Sequence, residues 1–294
     1  MKKFVNRLQS LFGCMFPHLA VRIVFLRKFG RLPDLRNPSD LNEKIQWLKF
    51  HGDMSVWAEL ADKYLVRNYV ASKGLGDLLV PLYGKFGSVK EFAAAWDSLE
   101  APFVVKTNNA CKEVIFVRDK SAEDVSEICG RLRKWLSDRT FWGFFVEPHY
   151  RLIKPCIMVE RFLAEGDSAD VLPVDYKIWC FNGRPEFIFT CSGRDADGVD
   201  IDCFDTGWNE HREHLVFSGH FRRPAQVLPR PESLDKMLEY ASVLCKGFPQ
   251  VRVDLYNING RIFFGEMTFT SNGGFMTYFT PSFLKETGAR CTVR

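Results

Sequence analysis

The sequence has no apolar run as long as the roughly 18 to 20 residues that a membrane-spanning helix requires. It also has little excess charge: 40 basic and 36 acidic side chains leave a net charge of +4, too small to predict a nucleic-acid-binding surface. Internal repeats and low-complexity segments are missing as well. The composition, 46% hydrophobic and 26% charged, is that of an ordinary globular protein, and 294 residues suffice for two or three lobes around one active site.

The nine cysteines lack the spacing of a metal site or of a disulfide framework. No two form a Cys-x-x-Cys pair, their number is odd, and several, such as Cys156 and Cys180, lie inside apolar runs. Thiols in this pattern are typical of reduced, buried cysteines, so a cytoplasmic protein is expected. His211, His214 and His220 have no matching thiols and no His-Glu-x-x-His helix, so we expect a solvated loop there rather than a zinc site.

The first 32 residues combine basic and apolar side chains, while polar residues interrupt any signal-peptide core. The basic side chains are Lys2, Lys3, Arg7, Arg22, Arg27, Lys28 and Arg31. Two interpretations stay open. The segment forms basic amphipathic helices that make peripheral contact with the cytoplasmic face of an anionic membrane, or its apolar stripe packs on the body of the protein.

Helix and strand signals alternate along the rest of the chain. Asp40 caps a predicted helix that begins at Leu41, and further helices are predicted at 55–72, 89–98, 121–138 with Ser121 as N-cap, and 231–246. Strands are predicted at 80–83, 102–106, 156–160, 174–181 and 186–191 and around Asp254 and Glu266. Hairpin turns join the later strands, so the fold class is α+β with antiparallel strands. Asp202, Asp205 and Trp208 are assigned to a long loop without a role.

Asp254 and Glu266 are carried by two consecutive predicted strands, and the turn between them decides whether they share a face. A two-residue Asn259-Gly260 turn would place Glu266 on the apolar face opposite Val253, where a buried charge is unfavourable. A three-residue loop, 258–260, instead makes Asp254 and Glu266 diagonal neighbours roughly 7 to 8 Å apart. The three-residue loop is therefore predicted.

Two carboxylates on one face can share Mg²⁺, a hard ion that prefers oxygen ligands and substrate phosphates. Arg252 on the same face would offset their repulsion and could meet a phosphate or an acyl-phosphate. The alternative is a salt-bridge ladder of Arg252, Asp254 and Glu266 on a solvated sheet face.

Two other strands carry candidate phosphate-binding residues. Lys106 ends a strand and is followed by Thr107 and Asn108, whose polar groups could receive phosphate oxygens. Asp175 and Lys177 share a strand face that is either solvated or available to neutralise phosphate. The segment 157–163 leads from a strand into a linker, where an adenine ring could bind between two lobes.

In chain order, Lys106, Glu160, Lys177, Asp254 and Glu266 resemble the site of an ATP-grasp enzyme, and their surroundings resemble the teichuronopeptide-biosynthesis (TupA-like) ATP-grasp family. The segments that carry this resemblance are 41–48, 61–67, 103–108, 159–163, 175–183, 251–256 and 265–270. It implies an ATP-grasp fold, in which two α+β lobes with antiparallel sheets enclose the nucleotide after the first helices. The implied boundaries are a basic helical segment at 1–36, a helical lobe at 37–100, a small lobe at 101–163 and a large lobe with the metal site at 164–294.

The resemblance also implies that ATP and Mg²⁺ are bound. The residues implied for the nucleotide are Lys106, Thr107, Asn108, Glu160, Arg161, Phe162, Leu163, Asp175 and Lys177. The metal ligands implied are Asp254, Glu266 and Thr268. Many ATP-grasp enzymes have asparagine at the position of Thr268. The residues implied for catalysis are Arg252 and Lys177.

The implied reaction is ATP-dependent carboxylate-amine ligation through an acyl-phosphate, modifying a uronic-acid or amino-sugar unit of a cell-surface polysaccharide. The expected partners are a small-molecule or glycan acceptor and an amine donor, with no nucleic acid. The segment 108–114 contains no glycine, unlike the phosphate-covering loops of such enzymes. Two alternatives therefore stay open: an ATP-dependent sugar or polyol kinase, and a non-catalytic nucleotide-binding scaffold of a glycan-assembly complex.

Overall fold

The computed structural model describes residues 2–109, 113–138, 143, 145–164 and 172–293, with the backbone alone for residues 2–7. Its helices are α1 (Lys2–Met15), α2 (Pro17–Phe29), α3 (Leu41–His51), α4 (Met54–Ala61), α5 (Val66–Ser72), α6 (Val89–Ala95), α7 (Val125–Ser137), α8 (Leu234–Leu244) and α9 (Pro281–Arg290). Its strands are β1 (Leu82–Phe86), β2 (Phe103–Thr107), β3 (Val114–Val117), β4 (Ile157–Arg161), β5 (Asp175–Phe181), β6 (Arg184–Ser192), β7 (Val199–Asp205), β8 (Phe221–Arg222), β9 (Gln250–Ile258) and β10 (Arg261–Thr268).

The strands form two sheets. The small sheet has the order β1-β4-β2-β3 and the large sheet the order β10-β9-β5-β6-β7-β8. All neighbouring strands run antiparallel except β7 and β8. The predicted α+β class, with antiparallel sheets that follow the first helices, is confirmed.

Each sheet is held by its own apolar core. One face of the small sheet packs against α6 and α7 through Phe103, Val105 and Leu132. One face of the large sheet packs against α4, α5 and α8. Its opposite face is divided: toward β6 and β7, aromatic residues such as Trp179 and Phe187 lie under α3 and α9, whereas toward β10 the side chains are charged. The charged half is left for a ligand.

Side-chain hydrogen bonds to the backbone decide where several helices begin and end. Asp40 caps α3 as predicted, and Glu43 completes a capping box. The single helix predicted for 55–72 is wrong, because Asp62 accepts hydrogen bonds from the backbone N–H groups of Tyr64 and Leu65 and separates α4 from α5. Ser121 is not an N-cap either, since Asp124 caps α7.

The loop predicted around Asp202 and Asp205 is also wrong, because both residues belong to β7. Asp202 is buried and accepts two hydrogen bonds of 2.8 Å from the guanidinium of Arg212. This bidentate pair satisfies the carboxylate inside the sheet. The acidic residues therefore led to the prediction of a loop, whereas the ion pair with Arg212 allows Asp202 to lie inside a strand.

A buried polar network joins α3 to the segment around residue 147 and to the loop after β10. Lys49 donates hydrogen bonds to the backbone carbonyls of Phe145 and Gly273, and Thr270 donates one of 2.5 Å to Glu147. His149 is fully buried beside this network, and neither ring nitrogen has a hydrogen-bond partner among the described residues. Burial, together with the charge of Lys49, lowers the pKa of His149 to about 3.

We expect acid to destabilise the fold through His149. The unfolded histidine takes up a proton below about pH 6.5, whereas the buried ring stays neutral down to about pH 3. Stability that is complete above the unfolded pKa is therefore lost as the pH falls below it, by about 1.4 kcal/mol per pH unit. Urea unfolding at several pH values should show this slope, and His149→Phe, which keeps a ring without titrating, should reduce it.

The matched control is His220→Phe, since His220 is exposed. This variant should keep the wild-type pH dependence. An unchanged slope in His149→Phe would contradict the assignment.

Candidate functional site

The turn between β9 and β10 contains two residues, not the predicted three. Arg261 pairs with Ile258, and Asn259 and Gly260 have positive φ values of 51° and 79°. Two positive φ values are typical of the type I′ turn that Asn-Gly sequences favour. The prediction of a three-residue loop was wrong because it placed the extra residue in the turn.

The extra residue is Gly265, which forms a β-bulge further along β10. Phe264 pairs with Leu255 and Glu266 pairs with Asp254, so Gly265 has no partner of its own. A Cβ on Gly265 would lie 3.0 Å from the carbonyl oxygen of Asp254, which favours glycine here. Because the bulge shifts the alternation by one residue, Asp254 and Glu266 share a face and lie directly opposite each other rather than diagonally.

Asp254 holds two buried cations. Its carboxylate accepts hydrogen bonds of 2.7 and 2.6 Å from Nε and Nη2 of Arg252, and one of 2.7 Å from Nζ of Lys177. Lys177 also donates to Asp175 at 2.5 Å. Burial alone would lower the pKa of Lys177, but Asp175 and Asp254 outweigh it and raise the pKa above its usual value. Both cations therefore stay charged in the sheet.

Glu266 is the accessible carboxylate of this group, with 35% of its side chain exposed. It accepts hydrogen bonds from Thr268 at 2.8 Å and from Arg252 at 3.2 Å, and Nζ of Lys63 lies 3.5 Å away. Burial would raise its pKa, but the charges of Lys63, Arg252 and Lys177 lower the pKa to about 2. Glu266 is therefore ionised at neutral pH.

The small sheet contributes a second charged group. Nζ of Lys106 on β2 lies 2.5 Å from Oε2 of Glu160 on β4, and Arg67 of α5 donates to Oε1 at 3.2 Å. Arg67 and Lys63 belong to one short segment, and Lys63 reaches Glu266 of the large sheet. The segment 62–67 therefore joins the charged faces of both sheets along one cleft.

Lys63 and Arg67 were missed as site residues by the sequence analysis. They stand four residues apart in the segment 61–67, which carries part of the family resemblance but was assigned only to a helix and given no site role. The sequence feature that could have revealed them was Asp62, a helix-capping residue type at the point where the chain breaks between α4 and α5.

The side chains of Thr107 and Asn108 are not brought to the charged cluster. Asn108 is buried, donates to Asp62 at 2.7 Å and accepts from the backbone N–H of Cys156 at 2.7 Å. The hydroxyl of Thr107 donates to Glu113 at 2.7 Å. Asn108 thus fastens the 62–67 segment to the small sheet. Of the glycine-free loop, residues 110–112 lie outside the described part of the chain.

Of the segment 157–163 predicted to bind adenine, only Arg161, Phe162 and Leu163, here called the hinge, line a cavity of about 220 Å³ between the end of β4 and the β9–β10 hairpin. Its lining residues are Arg161, Phe162, Leu163, Ala164, Ile258, Arg261 and Phe263. The guanidinium groups of Arg161 and Arg261 lie 5.7 and 5.0 Å from the centre of the Phe263 ring. Phe263 pairs with Tyr256, which pairs with Asp175, so this cavity adjoins the charged cluster.

The sequence profile of the TupA-like ATP-grasp family matches residues 43–291, most of the chain. The chain belongs to this family. The family recognised from the sequence and the expected enzyme class, an ATP-grasp enzyme, are confirmed. A comparison with curated proteins gave no match.

Several solved synthetase and ligase structures resemble this ATP-grasp chain at low identity. An N5-carboxyaminoimidazole ribonucleotide synthetase in its ADP complex has 16% identity and a TM-score of 0.44, over 77% of this chain and 50% of its own. A D-alanine-D-alanine ligase from Helicobacter pylori has 16% identity and a TM-score of 0.46, over 87% and 70%. An L-amino acid ligase from Bacillus licheniformis has 14% identity and a TM-score of 0.45, over 93% and 56%. The chain thus spans between half and 70% of these three chains.

The donor set of this ATP-grasp cleft suits magnesium and a polyphosphate. Asp254 and Glu266 offer the hard oxygen atoms that Mg²⁺ prefers, and Oδ1 of Asp175 is buried without a hydrogen-bond partner among the described residues. Five cationic side chains and four carboxylates form the ion pairs of this group, and the cations are the groups with which phosphate oxygens could pair. These cations are Lys63, Arg67, Lys106, Lys177 and Arg252, and the carboxylates are Glu160, Asp175, Asp254 and Glu266.

A second group of metal-ligand residues is explained by ion pairing. His211, Glu213 and His214 place three ligand atoms within 4.8 Å of one another. Nδ1 of His211 hydrogen-bonds to Glu213 at 2.9 Å, and this bond raises the pKa of His211. When the imidazole is protonated, it and the exposed Glu213 neutralise each other.

We expect Asp254→Ala to be far more destabilising than Glu266→Gln. Removing Asp254 leaves Arg252 and Lys177 buried without their shared carboxylate, which costs about 3 to 5 kcal/mol. Glu266 is partly exposed and solvent screens its ion pairs, so its neutralisation should lower the free energy of unfolding by clearly less. Urea unfolding followed by circular dichroism measures both. Equal losses in the two variants would show that Asp254 is not the buried support described here.

Proposed function

We propose that this chain is an ATP- and magnesium-dependent carboxylate-amine ligase that forms an amide through an acyl-phosphate. We further propose that it modifies a uronic-acid or amino-sugar unit during cell-surface polysaccharide biosynthesis, on the cytoplasmic side where ATP is available. One observation carries the proposal: Lys63 and Arg67, four residues apart, form ion pairs with Glu266 of the large sheet and Glu160 of the small sheet, so the charged groups of the two sheets are neighbours.

The adenine ring is assigned to the cavity at the hinge. Arg161, Phe162 and Leu163 offer main-chain groups and apolar surface there, and Phe263 offers an aromatic wall. Lys106 and Lys177, on strands of the two sheets, are assigned to the phosphates. Lys106 now pairs with Glu160, and a phosphate would compete for the same ammonium group.

Asp254, Glu266 and Thr268 are assigned to magnesium in different roles. Glu266 has the exposed oxygen, Asp254 lies opposite it, and the Thr268 hydroxyl donates to Glu266 and orients it. When bound, magnesium would neutralise phosphate charge and polarise the transferred phosphoryl group. The low pKa of Glu266 keeps it ready as an anionic ligand at neutral pH.

Arg252 is the residue best placed to stabilise an acyl-phosphate. Its guanidinium is fixed by Asp254 and by Ser271, to which Nη1 donates at 2.9 Å. Burial alone would lower its pKa, but Asp254 and Glu266 raise it above the usual value, so the charge is permanent. A cation held rigidly in a buried site stabilises developing negative charge without reorganisation.

The reaction needs no covalent attachment to the protein. Cys191 lies opposite Asp175 in the large sheet, and burial raises the pKa of its thiol to about 11. It is therefore not a thiolate nucleophile at neutral pH. Direct phosphoryl transfer to a carboxylate and capture by an amine fit a cleft built from cations and carboxylates. The polysaccharide substrate class is supported by the resemblance to the teichuronopeptide family.

The test is acyl-phosphate trapping. The full chain, incubated with Mg²⁺, ATP, a panel of uronic acids and hydroxylamine, should release ADP and form a hydroxamate. Glu266→Gln should lower kcat/KM by at least about 100-fold, the usual effect of losing one preorganised charge-stabilising group. The matched control, Glu239→Gln, removes an exposed carboxylate on α8 and should leave the rate unchanged.

Two other results would assign a different function to the chain. A product one phosphoryl group heavier than the sugar, without a hydroxamate, would identify a sugar or polyol kinase. Magnesium-dependent ATP binding without turnover on any acceptor would identify a nucleotide-binding scaffold.

A further inference from the structure

The first helix presents an apolar row that is largely exposed, with Phe12 alone of its members in ring contact with a neighbour, Phe16, among the described residues. Leu8, Leu11, Phe12 and Met15 are 51, 55, 36 and 62% exposed, and their spacing places them on one helix face. Of the fifteen large apolar side chains that are exposed in the described part of the chain, eight lie between residues 8 and 32. Exposed apolar surface is thus concentrated in one small region, which marks an interaction surface.

The orientation of α1 is fixed by its opposite face. Ser10 is buried, and a Cβ on Gly13 would lie 2.0 Å from the carbonyl oxygen of Gly143. This side of α1 therefore touches the body of the protein through backbone. The apolar row points away from it as a consequence of the helical period.

Helix α2 continues the same surface and adds charge to it. Ala20, Val21 and Phe25 pack against Val146 and Phe275 in the body. The opposite face carries Leu19, Arg22, Ile23 and Leu26 at helical spacing, with Arg27 beside them. Arg22 and Arg27 are exposed and form none of the ion pairs among the described residues. One face of α2 therefore packs on the body of the protein, and the opposite face is largely exposed.

The positive charge of residues 1–33 indicates which kind of partner this surface binds. Residues 1–33 contain seven basic side chains and no acidic one, and Asp34 is the first acid. A second copy of the chain would bring the same positive charges against these, which opposes a symmetric contact. A nucleic acid would leave the apolar row unused. We propose that α1 and the exposed face of α2 bind the surface of an anionic lipid bilayer.

The expected mode is a helix lying in the plane of the interface. No helix in the described residues combines the length and the apolar character needed to cross a bilayer. Apolar side chains enter the boundary between headgroups and acyl chains, while arginines meet lipid phosphates. This inference stands apart from the proposed ligase activity, since α1 contributes nothing to the cleft between the sheets.

The test is co-sedimentation of the full chain with lipid vesicles. Binding should occur with vesicles that contain phosphatidylglycerol, should be weak with phosphatidylcholine alone, and should fall as salt is added. Replacing Leu8, Leu11 and Met15 together by glutamine should lower the partition coefficient at least about 10-fold. The matched control, Val216→Gln with Val227→Gln, removes valines of 43 and 47% exposure elsewhere and should not change it.

Charge is tested separately. Arg22→Gln with Arg27→Gln should weaken binding on the order of 10-fold at low ionic strength. Its control, Arg133→Gln with Lys236→Gln, removes two exposed charges from α7 and α8 and should bind normally. Circular dichroism and urea unfolding report whether each variant is folded.

Three results would overturn the inference. They are equal binding to both kinds of vesicle, no binding to either, and a dimer in light scattering that the glutamine variant converts to a monomer. The last would assign the apolar row to a second copy. Failure of the acyl-phosphate assay would leave the vesicle result unaffected, so the two proposals fail independently.

Discussion

The bidentate pair between Arg252 and Asp254 is the interaction on which the cleft depends. On an exposed sheet face, two charged residues such as these would be hydrated by solvent. Here the Asp254 carboxylate instead accepts hydrogen bonds from both the Arg252 guanidinium and the Lys177 ammonium. Arg252 and Asp254 are buried and Lys177 is largely buried, so removing Asp254 would leave Lys177 with Asp175 alone and Arg252 with only the 3.2 Å ion pair to Glu266. The pair thereby maintains fixed charges beneath Glu266, which alone of the hairpin carboxylates remains partly exposed.

The two sheets are coupled by a segment outside both. Asp62 ends α4, receives the amide of Asn108 from the small sheet and directs the chain so that Lys63 and Arg67 reach opposite walls of the cleft. A change in the position of this segment would therefore alter the charges around Glu160 and Glu266 together. Neither sheet contains the complete charged lining by itself.

Sequence patterns predicted most of the strands and the common face of Arg252, Asp254 and Glu266, because strand alternation is a local signal. The face shared by Asp254 and Glu266 was predicted correctly for a wrong reason, since the compensating residue is Gly265 and not part of the turn. β7 was missed because its buried Asp202 pairs with Arg212, which lies outside the strand, and the split between α4 and α5 was missed because the capping role of Asp62 was overlooked. The contacts of Lys63 and Arg67 depend on chain packing that no local pattern encodes.

Because of the bulge at Gly265, β10 presents both an aromatic ring and a carboxylate on the same face of the sheet. Phe263 and Glu266 are three positions apart, so strict alternation would send the ring and the carboxylate to opposite sides of the sheet. With one residue looped out, the same strand offers an aromatic wall near its start and a carboxylate a few ångströms further along. Relatives of this chain should accordingly be superposed from Gly265 outward in both directions, because an alignment anchored on the hairpin turn reverses every inward-facing position beyond the bulge.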